Sequence, residues 1–276
     1  MEYIPATTVT EVLTALADGR TCVLAGGQSL VLEMARQNVH PRRVVDINRV
    51  AEFDVLREDG GALRVGPLVR HRMFESGAVA GALGDLLRVV VRHIGHPPIR
   101  ARGTMLGSLA YAHPAAEWPV VALILGATLS LRGPDGCRTV PVERFFTGPG
   151  TTARRPDELL AEVRLPLLPP GTGAGYAEDR RGPGIWADAA AMAAVTVTDG
   201  LVTAAAIGLV NAGPCPVRAR AAERALIGTA FSDTAITEAA RAAAREVPDA
   251  DRQRAIQVMT RRALTQAREG RGTTCG

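Results

Sequence analysis

Apolar positions along the chain alternate between helical and strand-like spacing. Residues 8–19 put Val9, Val12, Leu13 and Leu16 on one helical face, with Thr8 as a cap and Gly19 as a stop. The apolar run Cys22-Val23-Leu24-Ala25 reads as a buried strand that enters Gly26-Gly27-Gln28-Ser29, and residues 30–36 return to helical spacing. The first unit expected is thus helix, strand, glycine turn, helix. Val44-Val45-Asp46-Ile47 gives a second short strand, and residues 53–57 and 62–65 flank Asp59-Gly60-Gly61 as a hairpin. Residues 78–93 are spaced as a helix, which Pro97 and Pro98 stop.

Residues 99–119 read as loop-rich, with Gly103, Gly107 and Pro114. An apolar stretch at 120–125 precedes a hairpin with Gly133-Pro134-Asp135-Gly136 at its tip, and Glu162-Val163-Arg164-Leu165 is a strand ending at Pro166. Proline and glycine then dominate 166–184, the best place for a domain boundary. Within it, Gly171-Thr172-Gly173-Ala174-Gly175 follows prolines and reads as linker. Beyond lie a hairpin over 189–198 and 201–210 turning at Asp199-Gly200, helices over 216–228, 233–246 and 251–268, and a frayed tail at 269–276. No internal repeat is found, and the pattern is α+β.

Composition narrows the chemistry. With 276 residues and 47% hydrophobic content, the chain can bury one large or two modest domains. All 32 basic residues are Arg, so a P-loop lysine and a pyridoxal Schiff base are excluded. The formal charge is +4, but the Arg residues are scattered among acids and aromatics are 4%, which argues against nucleic acid. Cys22, Cys137, Cys215 and Cys275 are far apart with no C-x-x-C pair, so neither a disulfide framework nor an iron–sulfur cluster is expected from them. No basic-then-apolar leader is seen, and no apolar run approaches the ~20 residues of a membrane span. A soluble cytoplasmic protein is expected.

The strongest local feature is Ala25-Gly26-Gly27-Gln28-Ser29 after a strand. Glycines let a ligand approach the backbone, and successive N–H groups there can cradle a pyrophosphate. An ordinary tight turn uses the same residues, and the motif alone does not decide between them. Arg102-Gly103-Thr104-Met105-Leu106-Gly107-Ser108 is a second candidate phosphate-facing loop, weak by itself. No G-x-G-x-x-G follows a strand, so a Rossmann site is not supported. His93 and His96 alone make a poor metal site.

Taken in order, these segments resemble a known family. Ala25-Gly26-Gly27-Gln28-Ser29-Leu30, Val45-Asp46-Ile47-Asn48, Ile94-Gly95-His96-Pro97, Arg102 to Ser108, Pro114-Ala115-Ala116-Glu117-Trp118-Pro119 and Asp157 to Pro166 are similar to the medium, FAD-binding subunits of the carbon monoxide dehydrogenase and xanthine dehydrogenase family of molybdenum hydroxylases. Pro216-Val217-Arg218-Ala219 and Arg261-Arg262-Ala263-Leu264 also fit. The resemblance spans nearly the whole chain. It implies an α+β protein: a two-lobed FAD-binding domain of the vanillyl-alcohol-oxidase (PCMH) type over 1–168, with lobes of about 1–52 and 53–168, then a smaller α+β C-terminal domain over 169–276.

It also implies roles. Leu24, Ala25, Gly26, Gly27, Gln28, Ser29 and Leu30 would hold the FAD pyrophosphate from one side, and Thr104, Gly107 and Ser108 from the other. Glu117 would contact the adenosine ribose, Leu160 would pack near the isoalloxazine, and Asp46 would fix the first loop. The chain departs from the family at Leu106, where a glycine is usual and a leucine would narrow the phosphate approach, and at His113. Around Arg180-Arg181 and Ile185-Trp186-Ala187 the flavin-face motif is also altered, and Trp186 either stacks at the flavin edge or fills the core. His113, Arg181 and Trp186 are the candidate residues near the flavin.

The resemblance implies an FAD-dependent oxidoreductase. In the first reading the chain passes electrons from a partner iron–sulfur subunit and a large molybdopterin subunit to NAD, a quinone or oxygen. In the second it is a stand-alone flavoenzyme, with itself as oligomeric partner, acting on a small molecule in specialised metabolism. In the third, supported only by Leu106, it is a non-catalytic binding module.

Overall fold

The structure, a computed structural model, describes residues 1–182 and 184–270. Cys275 and the tail from 271 onward lie outside the described residues. In chain order come β1 (Glu2–Pro5), α1 (Val9–Leu16), β2 (Thr21–Leu24), α2 (Leu30–Ala35), β3 (Arg43–Asp46), β4 (Leu56–Asp59) and β5 (Ala62–Val65). Four helices follow: α3 (Gly81–Val91), α4 (Pro97–Arg102), α5 (Met105–Tyr111) and α6 (Glu117–Leu125). Next are β6 (Thr128–Gly133), β7 (Gly136–Pro141), β8 (Phe146–Gly148), β9 (Thr151–Thr152) and β10 (Leu159–Pro166). The last third holds β11 (Thr172–Asp179), β12 (Ala189–Thr198), β13 (Leu201–Val210), β14 (Val217–Arg218), α7 (Arg220–Leu226), α8 (Asp233–Arg245) and α9 (Ala250–Glu269). The chain folds into two compact units that interleave in sequence: 1–73, 97–112 and 126–166 form one, and 74–96, 113–125 and 167 onward the other.

In the first unit, β1, β3 and β2 pair as a parallel sheet in that order. Parallel strands need crossovers, and α1 and α2 supply them. Thr8 and Glu11 close a capping box that starts α1, and its Val9, Val12 and Leu16 bury against Val45, Ile47 and Phe53. A second, antiparallel sheet runs β4-β5-β10-β6-β7, and α5 packs on β10.

In the second unit, β11-β12-β13-β14 form an antiparallel sheet. Residues 189–195 are buried throughout, because both faces of β12 are covered. Ala189, Ala191, Ala193 and Val195 face the core shared with α7, α8 and α9, while Gly208 on β13 lies against Val120 and Ile124 of α6. The hairpin turns where expected, with Asp199 and Gly200 at φ 51° and 80°, the left-handed pair such two-residue turns require.

Two expectations need correction. Residues 99–119 are not mainly loop. The prolines do not stop α3, which already ends at Val91; Pro97 instead opens α4, since proline suits a first helical position, and Thr104 caps α5. Nor is 171–175 a linker. Residues 172–175 open strand β11, and a Cβ on Gly175 would lie 2.0 Å from the Ala263 carbonyl oxygen of α9. That glycine permits close packing of helix on strand, a requirement set by a residue 88 positions away and invisible locally.

Candidate functional site

Strand β2 ends at Leu24, and the chain turns through Ala25 to Ser29 into α2. Gly27 has φ 76°, and its carbonyl accepts from the Val31 N–H at 3.1 Å. The N–H groups of Gly26, Gly27, Gln28, Ser29 and Leu30 donate to no acceptor among the described residues, and the Ser29 hydroxyl makes no cap bond. Five successive uncommitted N–H donors at a strand end form a nest for an anion.

The second loop touches the first. A Cβ on Gly26 would sit 2.2 Å from the Arg102 carbonyl oxygen and 2.7 Å from the Gly103 Cα, so only glycine allows this approach. Gly103 in turn abuts the ring of His71, and the His71 backbone N–H donates to the Gly103 carbonyl at 2.9 Å. Burial, with Arg100 and Arg70 nearby, pushes the His71 imidazole down to about 3, so it is neutral at neutral pH.

A polar network ties the loops together. The Asp46 carboxylate accepts from the Asn48 N–H at 2.9 Å and from its side-chain amide at 2.6 Å. That amide also donates to the Ala25 carbonyl at 2.9 Å. The Arg70 guanidinium donates to the Asn48 side-chain oxygen and, at 2.7 Å, to the Arg102 carbonyl. Burial alone would raise the Asp46 pKa; hydrogen bonds from Tyr3 and Asn48 outweigh it and hold the carboxyl below its ordinary value. Asp46 thus fixes the first loop through Asn48. Sequence reasoning quoted Asn48 only as part of a motif and missed Arg70, which no motif marks. Farther along, the Tyr111 hydroxyl on α5 donates to Glu33 on α2 at 3.1 Å.

The second loop is less open than the first. The Thr104 hydroxyl accepts from the Gly107 N–H at 3.0 Å, and the Ser108 N–H donates to the Thr104 carbonyl at 3.1 Å. Its groups without an acceptor among the described residues include the Thr104 and Leu106 N–H groups and the Ser108 hydroxyl. The Leu106 side chain is 2% exposed and belongs to the packed face of α5. It therefore does not line an open approach, and the narrowing expected from it does not arise. The non-catalytic reading loses its one support. Leu160 lies on β10, is buried, and sits beside a bulge before Glu162.

The remaining candidates belong to the second unit. His113 and Trp186 stack with ring centroids 4.3 Å apart and planes 13° from parallel. Trp186 is 47% exposed, so it does not fill the core. Arg181 pairs with Asp188 at 3.1 Å, and the Asn211 side chain donates to the Ala187 carbonyl at 2.9 Å, holding this loop. Glu117 opens α6 and is buried. Burial and the nearby Glu178 charge push its carboxyl up to about 8, against the opposing pull of its own backbone N–H and Arg180. Glu178 itself binds His93 at 2.8 Å and Arg180 at 2.9 Å, beside the buried Tyr176 ring.

The donor set fits the diphosphate of a dinucleotide: an uncommitted run of N–H groups, a second loop at van der Waals contact, and glycines where a Cβ would intrude. Comparison with known proteins agrees. Residues 1–168 match the family described as FAD binding domain in molybdopterin dehydrogenase, and residues 174–267 match the CO dehydrogenase flavoprotein C-terminal domain. The chain is 35% identical to the 6-hydroxypseudooxynicotine dehydrogenase complex subunit alpha of Paenarthrobacter nicotinovorans, over 88% of this chain and 83% of that one. It is 33% identical to the carbon monoxide dehydrogenase medium chain of Hydrogenophaga pseudoflava, over 80% of this chain and 77% of that one. A solved carbon monoxide dehydrogenase structure from the same organism superposes with a TM-score of 0.91, covering 98% of this chain and 97% of that one. The chain therefore belongs to the FAD-binding family of molybdopterin dehydrogenases, with the fold of their flavoprotein medium chains and FAD as its cofactor.

Proposed function

We propose that this chain is the flavin subunit of a multi-subunit molybdenum hydroxylase. In this reading a small iron–sulfur subunit delivers electrons drawn from a large molybdopterin subunit, and the bound flavin passes them to NAD, a quinone or oxygen. The observation that carries it is the match, over 80% and 88% of the chain, to proteins named as a medium chain and as a subunit of a dehydrogenase complex. The cysteines support it: Cys22, Cys137, Cys215 and Cys275 lack cluster spacing, so iron–sulfur centres must come from another chain. A second support is α2, which has no buried residue and leaves Val31 and Leu32 55% and 46% exposed beside the first loop, as a partner-facing element would.

FAD, when bound, supplies the redox chemistry that joins one-electron donors to two-electron acceptors. The nest from Gly26 to Leu30 would hold its pyrophosphate, with Leu24 and Ala25 shaping the approach. Thr104, Gly107 and Ser108 would act from the second loop, chiefly through the Ser108 hydroxyl and the Leu106 N–H. Asn48 and Arg70 would position both loops. Glu117 would contact the ribose, Leu160 would pack near the isoalloxazine, and His113, Arg181 and Trp186 would shape the electron-accepting side. The domains would divide at 168/169, with lobes of about 1–52 and 53–168, and the complex would work in the cytoplasm. No helix among the described residues is long and apolar enough to cross a membrane.

Mild affinity isolation of the tagged chain from its native host tests this. Co-purification of FAD, molybdenum and iron, with two further chains, is expected. A chain that purifies with FAD alone and oxidises a small organic molecule by itself would instead establish the stand-alone enzyme.

A further inference from the structure

At the end of β2 away from the flavin loop lies an open cleft of about 440 Å³ within the first unit. The strand separates the two sites by about 10 Å. Arg20, Arg42, Arg154 and His40 line the cleft together with Cys22, and no Asp or Glu among the described residues lines it. Its volume suits a small metabolite.

Arg154 is the informative residue. Its guanidinium is held by one nitrogen, which donates to the Arg155 carbonyl at 3.0 Å and the Glu158 carbonyl at 2.7 Å. Its other N–H groups meet no acceptor among the described residues, and these unpartnered nitrogens are not sealed from solvent. Arg154 forms no ion pair among the described residues, and the carboxylates of Glu158 and Asp18 are committed elsewhere. Glu158 takes two hydrogen bonds from Arg138 and one from the Arg155 N–H. Asp18 binds Arg43, the Arg20 N–H and the Thr21 hydroxyl. A half-buried cation without a carboxylate partner is costly, and burial indeed lowers the Arg154 pKa despite Cys22, Glu158 and Asp157 nearby. Arg20 and Arg42 are exposed and likewise form no ion pair among the described residues. Burial pushes the Cys22 thiol up, so it does not repel an anion.

We propose that this cleft binds a small polyanion bearing carboxylate or phosphate groups, gripped by Arg154 and by Arg20 and Arg42. Guanidinium forks recognise either group through paired hydrogen bonds. The site is separate from the flavin and independent of the electron-transfer reading.

The test uses the full-length chain already saturated with FAD, titrated calorimetrically at fixed ionic strength with citrate in one arm and inorganic pyrophosphate in the other. Saturable binding of at least one probe is expected, and the arm that binds reports carboxylate or phosphate preference. Arg154→Leu should abolish it. Because that change also removes two carbonyl contacts, the double variant Arg20→Gln, Arg42→Gln is the safer partner, and it should weaken binding about tenfold with FAD content unchanged. Absence of saturable binding in both arms, or equal affinity in the double variant, would overturn the proposal.

Discussion

At the scale of single residues, the proposed flavin site depends on two features that differ in kind. One is a missing side chain. At Gly26 a methyl group would run into the backbone of Arg102 and Gly103, which has no flexible end to give way. Gly26→Ala should therefore part the loops, cost about 1–3 kcal/mol of stability and lower FAD retention, checked by denaturant melts and by flavin absorbance. The other is a polar tie. Asn48→Ala removes the donor to Ala25 and the acceptor for Arg70, and should weaken FAD binding about tenfold in a fluorescence titration while the fold survives. Glu117 allows a pH test. Its folded pKa, about 8, stands above the ordinary 4.5, so the folded state binds more protons between those values. Its contribution to stability is complete below about pH 4.5 and is lost as pH rises towards 8. Glu117→Gln should flatten the fall in melting temperature between those limits, and a variant that melts in parallel with the wild type at every pH would show that the carboxyl is not held neutral.

At the scale of elements, what the chain displays locally was legible and what it needs from afar was not. The Thr8 cap, the Asp199-Gly200 turn and the strand before Gly26 each depend on neighbours within a few positions, and each forms as expected. Helices α4 and α5 were missed because Gly103 and Gly107 suggest loop. Gly103 instead yields space to His71, and Gly107 follows a capping threonine. The order of the two flavin-loop motifs was readable, but their mutual contact, Asn48 as the tie and Arg70 as the clamp were not, since Arg70 lies 32 positions from the carbonyl it holds. Gly175 was hidden for the same reason. Gly175→Val should disrupt the packing of β11 on α9 and destabilise the chain by about 3 kcal/mol or more, measured by urea unfolding.

At the scale of the molecule, each unit brings its own chemistry. The first holds the loop pair with its run of N–H donors, and the second holds the buried Glu117 with Tyr176 and Glu178 and the exposed His113–Trp186 stack. Family membership supplies the cofactor. We propose that FAD is held by the glycine turn after β2. It is tested most directly by the flavin-to-protein ratio of the purified chain and of Gly27→Leu, a change that puts a branched side chain on a left-handed glycine in the nest. Equimolar flavin is expected in the wild type and none in the variant, with the circular dichroism of both alike. Full flavin occupancy in Gly27→Leu would contradict it.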